Sequence, residues 1–324
     1  MKIVILGAGA IGSVVGGFLA RAGNDVILIG RPGHVNAINK NGLKLTTPTG
    51  THIIKLPAVT DCNQVKFESD DVVFLCVKGQ NTEEALPSLK AVIKDVPVFC
   101  FQNGVRNEEM VAKYFSKVYG VMIRMGAVYL NDGEVMVRRD PPGWLVMGRY
   151  PKGTDELIEN VANTLSKSEF SVLVTPDVMP YKWGKLMTNL ANAVDAITDS
   201  RGEDIRFITN AVRQELADLL TQAGISWKTS EQIAKDWPEI NAPARASMDT
   251  AEKSSTWQSL ARQQGTVETE FLNGEVVRLA EKLGKQAPVN EGLIRVSQEM
   301  AAKREKPGRY SPKELGKLLG LSPG

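Results

Sequence analysis

The first dozen residues constrain this chain more than any other stretch. An apolar run, Ile3 to Leu6, leads directly into Gly7-Ala8-Gly9-Ala10-Ile11-Gly12, and a helical pattern over 13–21 follows. In a strand–turn–helix setting each glycine of Gly-x-Gly-x-x-Gly has its own physical task. Gly7 permits the tight turn, Gly9 lets the backbone approach a pyrophosphate, and Gly12 lets helix and strand pack closely. The helix N-terminus adds unpaired amides and the positive end of its dipole. The motif predicts a dinucleotide site formed by Gly7, Ala8, Gly9, Ala10, Ile11 and Gly12. A glycine turn in an α/β protein that binds no nucleotide is the plainer alternative.

The texture beyond the motif supports the same architecture. Up to about residue 173, short β-branched runs (3–6, 26–29, 72–77, 96–101 and 118–122) alternate with helical patterns, as in a parallel sheet covered by helices. Apolar pieces at 134–137 and 144–147, punctuated by Gly133, Pro141, Gly143 and Gly148, predict an appended hairpin. A helix over 155–167 and a strand over 170–174 close this half. After Pro176 apolar residues recur at three and four spacing, which predicts helices over 181–197, 203–223, 243–263 and 267–283, with Gly224 and Gly284 as stops. Ser311 and Glu314 have the spacing of a capping box. The expected fold is thus α/β, a Rossmann-type doubly wound sheet over 1–176 followed by an all-helical domain over 177–324.

Composition removes several function classes. A formal net charge of +2 over 324 residues lacks the basic face that a phosphate backbone requires, so nucleic acid is not expected as a partner. No apolar run approaches membrane-spanning length. The three cysteines, Cys62, Cys76 and Cys100, are odd in number and far apart, which reads as free thiols in a reducing, cytoplasmic compartment. The only histidines are His34 and His52, so a His-based triad or a zinc site is not expected in the second half. Acid–base chemistry there falls to Lys, Glu, Asp or Tyr.

Three positions extend the cofactor reading. Arg31 stands after the second strand where an acid would accept from ribose hydroxyls; an arginine there welcomes a 2′-phosphate, favouring NADPH over NADH. Lys78 ends the strand over 72–77, at the sheet edge where doubly wound folds bind ligands. Gln102-Asn103-Gly104 follows the next strand and aims the Asn103 amide at the same edge. A loop arginine, a solvated lysine and an Asn-Gly turn are the bland alternatives.

In the helical half, steps of 100° per residue place Lys185, Thr188, Asn189 and Asn192 on one stripe. A lysine among uncharged amides suits an anionic carbonyl compound, with the ammonium as proton donor; a solvent-facing polar face is the other reading. Glu268 falls on an apolar stripe continued by Glu275, Val276 and Leu279, and a carboxylate facing a core needs a partner. A benign place in a helix first turn explains it equally.

Trp183-Gly184-Lys185-Leu186-Met187-Thr188-Asn189 and the segment from Glu268 to Asn273-Gly274, with the glycine motif, Arg31 and Gln102-Asn103-Gly104, resemble the ketopantoate reductase (2-dehydropantoate 2-reductase) family over nearly the whole chain. The resemblance implies NADPH-dependent reduction of a 2-oxo acid to a 2-hydroxy acid on the route to pantothenate and coenzyme A. It implies Lys185 as the catalytic lysine, Asn103 as the asparagine near nicotinamide and substrate, and Asn189 as a substrate ligand. Glu268 matches the family's glutamate, and Lys78 and Ala127 match cofactor contacts. Ser255 matches the substrate-binding serine, but the spacing to Glu268 is one residue longer, so Thr256 competes for that role. Where the family has a second asparagine, this chain has Ala193, with Asn192 beside it. Two alternatives stay open: a related two-domain dehydrogenase acting on another oxo or hydroxy acid, and an NADPH sensor without turnover. The apolar helix faces suggest a homodimer.

Overall fold

The computed structural model describes residues 1–248 and 253–322. They form two compact units. One contains 1–102, 107–181 and 229–248; the other contains 103–106, 182–228 and 253–322. Beside the cut expected at 176, the packing groups 229–248 with the first unit and 103–106 with the second.

The strands run β1 (Ile3–Leu6), β2 (Val26–Ile29), β3 (Leu43–Thr47), β4 (Gly50–Ile54), β5 (Ala58–Val59), β6 (Val72–Leu75) and β7 (Val98–Cys100). They continue as β8 (Val118–Arg124), β9 (Ala127–Asn131), β10 (Glu134–Val137), β11 (Arg139–Asp140), β12 (Trp144–Arg149), β13 (Ser171–Val174) and β14 (Ala246–Ser247). The main sheet has the order β13-β12-β8-β7-β6-β1-β2-β5. From β5 to β8 every pairing is parallel, and β12 is antiparallel to β8. β1 and β6 are fully buried. That explains their unbroken Val, Ile, Leu and Phe, because a sheet covered on both faces has no use for polar alternation. Strand order reverses between β1 and β6, the topological switch point at which such folds bind ligands.

The expected hairpin is different. Asp132-Gly133, with Gly133 at φ +80°, joins β9 to β10 in a smaller sheet of order β4-β3-β10-β9. An Asp-Gly pair is a strong hairpin signal, and it couples 134–137 to the strand before it rather than to 144–147. β12 instead enters the main sheet. The helix and strand expected over 155–174 form as Glu156–Lys167, capped by the Asp155 side chain, and β13.

Helix α1, the first of the chain, covers Ala10–Arg21, and α2 covers Pro32–Asn41. The expected helix over 181–197 is two, α3 (Met179–Asn189) and α4 (Ala191–Thr198), separated at Leu190, whose carbonyl accepts from the buried Asn273 amide. The 203–223 helix becomes a 3₁₀ turn followed by α5 (Arg206–Gln222), with Gly224 at φ +62°. Of the helix expected over 243–263 only α6 (Ser255–Ala261) forms. Ala242, held extended at ψ 140° before Pro243, ends a 3₁₀ turn, β14 then pairs with β11, and 249–252 lie outside the described residues. The 267–283 helix splits at Leu272 (φ −121°, ψ −85°) into a 3₁₀ turn, Glu268–Phe271, and α7 (Asn273–Lys282). Helix α8 (Pro288–Ala302) follows, and Ser311 and Glu314 form the expected capping box.

Candidate active site

In the first unit the glycine turn leaves β1 at the switch point. The Gly7 and Ala8 amides both donate to the Ile29 carbonyl, at 3.0 and 2.8 Å, and the Gly9 amide donates to the Gly7 carbonyl at 2.8 Å. The next three amides, of Ala10, Ile11 and Gly12, are the first of α1 and have no partner within the helix. Gly9 caps α1 without a side chain, and the first turn contains no acid. A helix end of this kind can receive an anion, which its dipole favours.

The glycines divide by what a methyl group would meet. Gly7, at φ +111°, would place a Cβ 2.5 Å from the Val77 nitrogen and 2.7 Å from the Cys76 carbonyl carbon. Gly12 would press on the Gly7 carbonyl oxygen and lie 2.9 Å from Ile5 Cγ2. Above Gly9 an added Cβ meets nothing within 4 Å. Gly7 and Gly12 are required by the fold, whereas among the described residues nothing crowds a side chain at Gly9. That open approach fits a pyrophosphate.

Arg31 caps α2 with extended backbone and is exposed, and no acid accompanies it at the end of β2. Lys78 is half-buried just after β6, on the other side of the switch point. Ala127 opens β9, half-buried against the same core as Ile11. These positions can hold a dinucleotide, and Arg31 is the basic one among them at the end of β2. Behind them sits His34, 1% exposed, which the sequence gives no reason to single out. Its Nδ1 accepts from the Gly133 amide at 2.8 Å and its Nε2 pairs with the Ser13 hydroxyl at 3.0 Å. Burial holds this imidazole below its ordinary pKa, against a smaller upward pull from Asp132.

In the second unit the expected stripe is redistributed. Lys185 is half-buried on α3, Thr188 is exposed, and Asn189 is buried. The Asn189 amide donates to the Asn103 side-chain oxygen at 3.3 Å, so two of the expected substrate ligands are in contact. Asn192 lies beyond the Leu190 break on α4, half-buried, and its carbonyl faces the Ser254 hydroxyl at 3.4 Å. Ala193 is in the core. Ser254 caps α6; Ser255, its first residue, is half-buried, whereas Thr256 is buried with no partner for its hydroxyl among the described residues. Gly184 lies so close to the Lys228 carbonyl that a Cβ would overlap it, which fixes the glycine next to Lys185.

Glu268 stands half-buried on the 3₁₀ turn, and the fully buried carboxylate of this region is Glu275. Glu275 pairs with the Arg106 guanidinium through one oxygen and with Arg278 at 3.0 Å through the other. Helical periodicity put both acids on one stripe but gave no sign of the Glu275 ion pairs. A second buried cluster also escaped it: Asn273 donates to Asn290 at 2.9 Å, and Asn290 donates to Glu215 at 2.7 Å. Among the described residues no group of three or more His, Cys, Asp or Glu side chains is arranged to hold a metal. No helix among them is long and apolar enough to cross a membrane.

Residues 3–152 match the family described as Ketopantoate reductase PanE/ApbA, and residues 177–301 match Ketopantoate reductase PanE/ApbA C terminal. The chain belongs to the ketopantoate reductase family. It is accordingly an oxidoreductase. A 2-dehydropantoate 2-reductase of Pyrococcus abyssi is 32% identical over 309 residues, covering 94% of this chain and all of that protein. The crystal structure of a PanE/ApbA family ketopantoate reductase from Ralstonia eutropha JMP134 aligns at 30% identity and TM-score 0.78, over 94% of this chain and 99% of the other. D-mandelate dehydrogenase, solved with NADH and anilino(oxo)acetate, shares the fold at 24% identity and TM-score 0.80, with 94% and 99% covered.

Proposed function

We propose that this family member reduces 2-dehydropantoate to pantoate with NADPH, Lys185 supplying the proton. The observation that carries the reading is the Asn189–Asn103 contact at 3.3 Å, on the helix that also bears Lys185. Two amides and an ammonium form a donor set for a carboxylate and a carbonyl oxygen. When bound, NADPH supplies the hydride that attacks the keto carbon. Lys185, as an ammonium, polarises the carbonyl oxygen, stabilises the developing alkoxide and then protonates it. Asn103, Asn189 and Ser255 hold the substrate, and Glu268 orients Lys185 or a substrate hydroxyl. Arg31 and Lys78 take the cofactor phosphates. Residues 1–176 serve the cofactor, with Asn103 reaching the substrate as well, and 177–324 serve the substrate.

The test follows NADPH and NADH consumption against a panel of 2-oxo acids that includes ketopantoate. Turnover with NADPH on ketopantoate is expected, and Lys185→Ala should remove most of it while NADPH binding persists. Turnover on another acid alone would favour a second reading, the same chemistry on a different 2-oxo acid. The buried Ala193, where the family has an asparagine, favours that alternative. No turnover on any acid would indicate a sensor. The three free thiols fit a reducing cytoplasm, and light scattering tests the homodimer that the apolar helix faces suggest.

A further inference from the structure

Arg106 stands three residues after Asn103 in the short segment that packs with the second unit. Gly104, at φ +88°, turns the chain between them. The Arg106 side chain is about one-fifth exposed and makes three different contacts. Its Nε donates to Oε1 of the fully buried Glu275, Nη2 donates to the Glu270 carbonyl at 3.1 Å, and the guanidinium lies 4.5 Å from the centre of the Phe271 ring. The Glu270 carbonyl and the Phe271 ring belong to the 3₁₀ turn that begins at Glu268. Glu275 lies on α7 and is held from its other oxygen by Arg278.

From this geometry we propose that Arg106 is a positioning residue, which fixes the Asn103 segment and the Glu268 turn in one register. This inference rests on the reading that Asn103 and Glu268 serve the reduction. The planar guanidinium suits the task because it can bond a carboxylate, bond a carbonyl and stack on a ring at once, whereas a lysine ammonium can meet only part of that set. A short 3₁₀ turn has weaker internal hydrogen bonding than an α-helix and gains from an outside anchor. Asn103 is thereby held from two sides, by Arg106 through the backbone and by the Asn189 amide through its side chain.

The test compares wild type with Arg106→Lys and Arg106→Gln, measuring kcat and KM, NADPH affinity, thermal melting and amide hydrogen exchange. A loss of register near 1 Å lowers turnover by about 100-fold. Both variants should therefore lose about 30- to 100-fold in kcat/KM, with NADPH affinity within about twofold of wild type. Arg106→Lys keeps a charge beside Glu275, so it should regain melting temperature over Arg106→Gln without regaining kcat/KM, a split that a merely structural role would not produce. Exchange should rise together at 103–106 and 268–271 in Arg106→Lys. Wild-type kcat/KM in Arg106→Lys, or faster exchange at one segment without the other, would overturn the proposal. Should Arg106→Gln fail to fold, Arg106→Lys alone decides it. Wild-type enzyme silent on every 2-oxo acid would instead remove the proposed function, and the exchange result would still judge the register.

Discussion

Gly9→Ala separates a glycine needed by the fold from one needed by the cofactor. An alanine Cβ at position 9 meets no protein atom within 4 Å, and the backbone there is extended, so strain is not expected. The remaining cost is a less favourable helix N-cap, about 0.5–1 kcal/mol. For a chain of this size that corresponds to about 1–4 °C in melting temperature. The effect on binding should be larger. A methyl group over the turn pushes the pyrophosphate away from the α1 amides, and each charge-assisted hydrogen bond lost costs about 1.5–3 kcal/mol. One such bond amounts to about 10- to 150-fold in Kd. Gly12→Ala should behave in the opposite way, because its Cβ meets the Gly7 carbonyl and lies 2.9 Å from Ile5 Cγ2. Overpacking of that kind costs about 1–3 kcal/mol before any ligand is added. Differential scanning fluorimetry and NADPH fluorescence titration on both variants measure the two quantities. Wild-type NADPH affinity in a normally melting Gly9→Ala protein would refute the claim that this turn grips the pyrophosphate.

Other perturbations probe the rest of the molecule. The neutral His34 accepts the Gly133 amide, and its depressed pKa means the unfolded chain binds the extra proton first. Its contribution to stability is complete above the ordinary imidazole value of 6.5 and is lost as pH falls from there through the depressed value, so His34→Gln should flatten melting temperature between pH 7.5 and 5. Asn273→Leu strips the Asn290 oxygen and the Leu190 carbonyl of a buried donor, and urea unfolding should show a loss of about 2–4 kcal/mol. Gly184→Ala forces α3 away from the Lys228 carbonyl; kcat should fall by about 100-fold while NADPH affinity, measured by titration, stays near wild type.

The parallel sheet was legible because its signal is local. Buried strands read as unbroken β-branched runs, and the Gly7–Gly12 turn announces the strand and helix on either side of it. Type and spacing single out Lys185, Asn189 and Asn103 as candidates, but they do not show the Asn189–Asn103 contact, which joins residues 86 positions apart. Periodicity overran the breaks at Leu190 and Leu272, because a heptad-like pattern continues through a residue whose carbonyl or dihedrals depart from the helix. It singled out Glu268 on the apolar stripe and gave no sign that Glu275 is the buried member with two arginine partners. Leu272 marks the change from the 3₁₀ turn that bears Glu268 to the α-helix that bears Glu275, a boundary that a continuous stripe does not show. Arg106 gave no sequence signal at all: its importance comes from the carboxylate it meets 169 residues later.

The assignment of 103–106 to the second unit limits how the halves of such enzymes can be exchanged. A chimera made with one crossover near 176 would carry α3, the Glu268 turn and Glu275 from one parent and the residue at 106 from the other. Unless that residue is again an arginine, a shielded carboxylate would be left with one cation in place of two. Recombination libraries drawn across this family should therefore treat the four-residue insert as inherited with the C-terminal parent.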